Sequence, residues 1–311
     1  MRSRISIGLA VAGLAAALAI PTAGSGEAGA RSAAGECGGV AATVVGTSER
    51  DVFRGGPGRQ VFSTGAGDDT IVGSDGGDVI CAGSGDDTVV GGDGDDTIRA
   101  GKGDELVEGT GGNDDIAGGG GDDIVVGDEY SQNGDVSGNG DDKVNGGDGN
   151  DIVVGDAFSE NGSATGSGKD DLSAGPGNDE AVGDALAGSY RSDTANGAGA
   201  KGTGNDEING LPGTDLIVGD AAVHGTGDAE CNGSDKLNGE PNGGGGPNVS
   251  PLAGGKELIV GDCFASKGSG IGAASDKPII NGGDDEDVLV GDNYAADRAT
   301  GSGNEGNMLG G

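Results

Sequence analysis

The chain has 311 residues, with 53 acidic against 17 basic side chains and a formal net charge of −36. Glycine fills 75 positions, aromatics make up 2% and tryptophan is absent. So few large apolar side chains exclude an ordinary enzyme built on one large core, and so negative a chain repels phosphate, which excludes nucleic acid as a partner.

Residues 1–30 read as a separate object. Arg2 and Arg4 precede an apolar run from Ile5 to Ile20, and Ala28-Gly29-Ala30 follows as a cleavage site of the A-x-A kind. This is the pattern of a secretory signal peptide, and the run is short for a retained membrane anchor. No second apolar run follows, so the mature chain is expected to be secreted, extracellular and without a membrane span. Residues 31–45 read as an N-terminal cap or linker.

From Gly46 to Val126 the sequence falls into nine consecutive nonapeptide blocks without a gap. Position eight is Phe53, Phe62, Ile71, Ile80, Val89, Ile98, Val107, Ile116 and Val125. Position six is Asp in seven of the nine, with Gln60 and Glu105 as exceptions, and position four is Gly in eight, with Glu49 as the exception. Three residues centred on position eight, such as Thr70-Ile71-Val72, make a very short strand, and the six before it make a glycine-rich turn. One such strand cannot bury its apolar side chain alone. Two blocks facing each other make a coil, and stacked coils bury a thin apolar column.

This register stacks carboxylates. Asp69 falls over Asp87 and Asp78 over Asp96, about 4.8 Å apart as neighbouring parallel strands are. Each such pair repels by about 0.9 kcal/mol even in water and more near a protein surface. A positive ion between the turns is required. Carboxylate and carbonyl oxygens in numbers of six to eight suit Ca²⁺ better than Mg²⁺.

After Val126 the period lengthens. A Gly-Asp pair recurs at Asp128, Asp156, Asp184, Asp220, Asp262 and Asp292, at intervals of 28, 28, 36, 42 and 30 residues. Paired blocks remain readable around Asp142 and Asp151, Asp170 and Asp179, Asp206 and Asp215, Asp235, and Asp287. Residues 127–311 are therefore expected to continue the roll with one insertion loop per coil. All the loops should leave from one side, where a cell-surface or polysaccharide partner would bind.

Four cysteines in an exported chain favour disulfides, with three possible connectivities. Loops of adjacent coils lying side by side favour Cys231–Cys263, which leaves Cys37–Cys81 for the cap. His224, the one histidine, is expected at the surface. No serine or cysteine has a paired base, and the carboxylates repeat instead of forming one special pair, so the chain is not expected to be an enzyme.

Gly91-Gly92-Asp93-Gly94-Asp95-Asp96-Thr97-Ile98-Arg99 and Gly118-Gly119-Gly120-Gly121-Asp122-Asp123-Ile124-Val125-Val126 resemble the GGxGxDxUx repeat of the RTX, or haemolysin-type, calcium-binding family. The resemblance covers 46 to about 290. It implies an all-β fold, a parallel β-roll with several Ca²⁺ ions held between turns by position-six Asp side chains and turn carbonyls. Carried over residue by residue, the ligands are Asp69, Asp78, Asp87, Asp96, Asp114 and Asp123. In the longer-period half the matching positions are Asp142, Asp151, Asp170, Asp179, Asp206, Asp215 and Asp287.

Overall fold

A computed structural model describes residues 35–188, 197–213, 215–232, 234–239, 258–261, 263–265, 270–272, 279–281, 288–290, 293–295 and 308–309. The expected signal peptide, Asp262, Asp287 and Asp292 lie outside the described residues. Every element among the described residues is a strand.

The nonapeptide blocks alternate between two parallel sheets. The first contains Val61–Ala66, Val79–Ser84, Thr97–Lys102 and Asp115–Gly120, and the second Thr70–Val72, Thr88–Val90, Leu106–Glu108 and Ile124–Val126. Strands two blocks apart pair in register, Ile71 with Val89 and Ile80 with Ile98. Successive side chains of a strand face opposite sides, so each three-residue strand sends its middle residue inward. The resulting core between the sheets is the position-eight column, with Ile71, Ile80, Val89, Ile98, Val107, Ile116 and Val125 all buried.

The chain can turn so tightly because of its glycines. Gly94 has φ +125°, and a Cβ there would lie 2.9 Å from the carbonyl carbon of Gly76 in the coil below. The same left-handed conformation occurs at Gly58, Gly67, Gly76, Gly85, Gly103, Gly112 and Gly121, the other position-four glycines.

At the N-terminal end Glu36–Cys37 and Val40–Ala41 form an antiparallel pair, and Val44–Val45 joins the first sheet. A Cys37–Cys81 disulfide ties this cap to the roll. Cys231 and Cys263 form the second bridge, so both favoured pairings are present.

Both sheets continue through the longer coils, where Ile116 pairs with Val144 and Val125 with Val153. The described inserts after Val126, Val154, Val182 and Val218 all leave at the same corner, the end of the second sheet, but they are not open loops. Each carries two more short strands, which build a third sheet through Glu129–Ser131, Ala157–Ser159, Ala185–Ala187 and Ala221–Val223, and a fourth through Val136–Ser137, Ser163–Thr165, Gly197–Gly202 and Gly225–Cys231. The sheets lie in order, one to four. Val126, Ile152, Val154, Val182 and Val218, on the outer face of the second sheet, pack on Phe158, Leu186 and Ala222 of the third. Ala157, Ala185, Ala187, Ala221 and Val223, on the third sheet's other face, pack on Val136, Ala164, Ala200 and Ala229 of the fourth. The Cys231–Cys263 bridge crosses this last layer.

Candidate metal centres

Position six ends each turn just before its strand. There the Asp side chain bends inward and is buried: Asp69, Asp78, Asp87, Asp96, Asp114 and Asp123 are at most 2% exposed, and Asp142, Asp151, Asp170, Asp179, Asp206 and Asp215 at most 3%. One oxygen of each has a fixed task. Asp87 Oδ1 accepts the backbone N–H of Asp69 at 2.8 Å, and Asp96 Oδ1 accepts that of Asp78 at 2.6 Å. The same bond runs along both edges of the roll, from Asp96 to Asp114, Asp114 to Asp142, Asp142 to Asp170 and Asp170 to Asp206 on one, and from Asp123 to Asp151, Asp151 to Asp179 and Asp179 to Asp215 on the other.

The second oxygen does not share this bond. Oδ2 of Asp69, Asp78, Asp87, Asp96, Asp114, Asp142, Asp170 and Asp206 is buried with no hydrogen-bond donor. A carboxylate oxygen in that situation is costly, by several kcal/mol, unless a cation meets it. A carbonyl oxygen from the next coil points at the same space. The position a Cβ of Gly91 would take is 2.3 Å from Asp96 Oδ2 and 2.6 Å from the Gly109 carbonyl oxygen; at Gly118 it is 2.6 Å from both Asp123 Oδ2 and the Gly146 carbonyl oxygen. Oxygen-only donors in this convergence fit a hard cation. The burial of these carboxylates also acts on their protonation. Burial pushes Asp87 up to about 6, Asp96 to about 7 and Asp114 to about 8, against the lowering effect of the N–H each accepts.

The RTX calcium-binding nonapeptide repeat, in its four-copy form, matches residues 45–80, 54–89, 72–104, 82–116 and 99–129, and again 136–159, 165–185 and 202–222. This chain belongs to the RTX calcium-binding repeat family. Its cofactor is calcium, bound at several sites. No individual curated protein matches the chain.

The exceptions to the RTX pattern are structurally distinct. Gln60 closes its own turn, its Nε2 donating to the Gly56 carbonyl at 2.9 Å. Asp51 Oδ2 accepts from both the N–H and the hydroxyl of Thr47, at 2.7 and 2.9 Å. Glu105, one methylene longer, has neither oxygen on a donor; burial and the neighbouring Asp123 carboxylate raise its pKa. Position-five carboxylates form an exposed ladder running the other way, with Asp104 N–H on Asp86 Oδ1 and Asp122 N–H on Asp104 Oδ1.

Two features go beyond the sequence reading. His224 is not at the surface. Its side chain is 12% exposed, Nε2 lies 2.5 Å from Oε1 of the fully buried Glu180, and the ring tilts against Phe264. Burial lowers the His224 pKa, but the charge and hydrogen bond of Glu180 outweigh it and leave it raised. The signal was available: Glu180 stands in register between Ile152 and Leu216, a charge in an apolar column. The Gly-Asp residues are the second feature. Asp128, Asp156, Asp184 and Asp220 turn the chain from the second sheet into the third, and all are buried. Sequence reasoning used them only as a period marker.

Proposed function

We propose that this is an exported, non-catalytic calcium-binding protein whose roll becomes ordered when calcium occupies the turns. The observation that carries the reading is the file of buried Oδ2 atoms without donors. In this reading Asp69, Asp78, Asp87, Asp96, Asp114, Asp123, Asp142, Asp151, Asp170, Asp179, Asp206 and Asp215 supply the carboxylates, and the glycine carbonyls of the next coil supply further oxygens. The calcium neutralises the oxygens, while the chain's own part is to hold Oδ1 on the backbone and so aim Oδ2.

Export is supported by the signal-peptide pattern of residues 1–30 and by two disulfides, which persist in oxidising compartments. A non-catalytic role is supported by the uniform repetition of the acidic positions, which makes a scaffold. Extracellular calcium modules bind at about 10⁻⁴–10⁻³ M, so the roll would stay loose where calcium is scarce and set after export. Far-UV circular dichroism of the calcium-stripped chain should show little β structure and gain it in millimolar Ca²⁺. Identical spectra in both conditions would refute the coupling.

A further inference from the structure

The longer coils hold a second set of acidic clusters. Asp128 with Asp142 and Asp156, Asp156 with Asp170 and Asp184, and Asp184 with Asp206 and Asp220 each place three carboxylate oxygens within 4.8 Å of one another. Two members of each triad are corner aspartates from successive coils, and the third is a position-six aspartate between them. The narrow coils have no counterpart. Asp128 stands over Thr110, whose N–H donates to the Gly127 and Asp128 carbonyls at 3.0 and 3.1 Å, so the carboxylate enters where the chain first turns into the third sheet.

Three observations point to an ion. Asp156 and Asp184 are 0% exposed, and none of their four carboxylate oxygens has a hydrogen-bond donor. This differs from the nonapeptide ladder, where the backbone holds Oδ1 of Asp87, Asp96, Asp114, Asp142, Asp170 and Asp206. Next, oxygens converge on a space that only glycine leaves open. A Cβ on Gly204 would lie 2.8 Å from Asp206 Oδ2, 2.9 Å from Asp184 Oδ1 and 2.9 Å from the Gly168 carbonyl oxygen. Finally, the ion pairs Arg99–Asp115, Lys201–Glu230, His224–Glu180 and Lys236–Glu207 all lie elsewhere, and Lys169, next to Asp170, is exposed.

We propose that the corner aspartates Asp128, Asp156, Asp184 and Asp220, with Asp142, Asp170 and Asp206, hold a second row of three calcium ions, one between each pair of successive long coils. The spacing fits: oxygens 2.3–2.6 Å from one Ca²⁺ can be as far apart as about 5 Å. The row depends on the calcium reading of the roll for its ion, but it adds ligands outside the nonapeptide positions. It also gives the long coils one more ion per coil than the narrow ones.

The test uses the full chain crystallised with terbium in place of calcium, because the ion's anomalous signal locates each site without any substitution. The expected result is a peak inside each of the three triads as well as between nonapeptide turns. Peaks between the turns with none in the triads would overturn the second row and leave the calcium roll standing; no peaks at either place would overturn both. A solution arm counts bound Ca²⁺ by equilibrium dialysis. Every triad contains Asp156 or Asp184, so the double variant Asp156→Asn, Asp184→Asn should bind three fewer ions than the parent. Asp96→Asn, which touches only the nonapeptide ladder, should keep the three triad peaks. An unchanged count in a folded double variant would overturn the proposal.

Discussion

Ser74 and Thr110 stand at the second position of their blocks, where neighbouring coils have Gly65, Gly83, Gly92, Gly101 and Gly119. Both adopt the left-handed conformation of those glycines, with φ 103° and 76°. A side chain held there costs on the order of 1–3 kcal/mol. Ser74→Gly should therefore raise the stability of the calcium-loaded roll by about 1 kcal/mol, read as a higher denaturant midpoint at unchanged slope. The reverse change, Gly94→Ala, meets the same conformational cost plus a backbone contact 2.9 Å away, and should lower the midpoint. A Ser74→Gly midpoint at or below the parent's would mean that the serine makes a compensating interaction in the turn. The position-six aspartates were legible at this scale because only a phased column of charge demands them. Their Oδ1 bonds to backbone N–H groups were not, since a column of Asp does not reveal which oxygen faces the chain.

The strands divide by how many faces they bury. In the narrow coils the pattern is one apolar centre with mixed flanks, as in Thr88-Val89-Val90, and the flanks are half-buried. In the long coils it becomes Ile152-Val153-Val154, with all three buried. A strand apolar on both faces needs a layer on each side, so these triplets already carried the third sheet. Reading the inserts as loops followed from their glycine and serine content, while the strands inside them are marked only by small-large-small triplets such as Ala157-Phe158-Ser159 and Ala185-Leu186-Ala187. These are too short for periodicity to separate from turn sequence. The two readings differ in energy. Phe158 is fully buried between the second and third sheets, with the Tyr130 ring centroid 5.3 Å away. Phe158→Ala should cost about 3–5 kcal/mol in calcium-loaded unfolding. A loss below about 0.5 kcal/mol, the range of surface changes, would show that the third sheet is not a packed layer.

Across the whole molecule the balance is between a thin core and a large buried charge, and pH acts on the two states of the chain in opposite senses. Without metal, burial raises Asp142 to about 7 and Asp128 to about 8, alongside Asp87 at about 6, Asp96 at about 7 and Asp114 at about 8. The ordinary value is 3.8. A group whose pKa is raised by folding contributes stability that is complete below its unfolded pKa and is lost as pH rises through its folded pKa. The metal-free roll should therefore gain order as pH falls from about 8.5 toward 5.5, since protons partly replace the missing ions. The calcium-loaded roll should do the reverse, because protons compete with Ca²⁺ for the same oxygens. The β content of stripped and calcium-saturated protein, followed by circular dichroism, should converge as pH falls. Staying above pH 5.5 keeps the chain clear of its sequence isoelectric point near 4.1, where loss of net charge alone would compact it. A stripped protein whose β content rises with pH would show that the carboxylates find other compensation in the absence of ions, and the electrostatic account of the calcium requirement would fail with it.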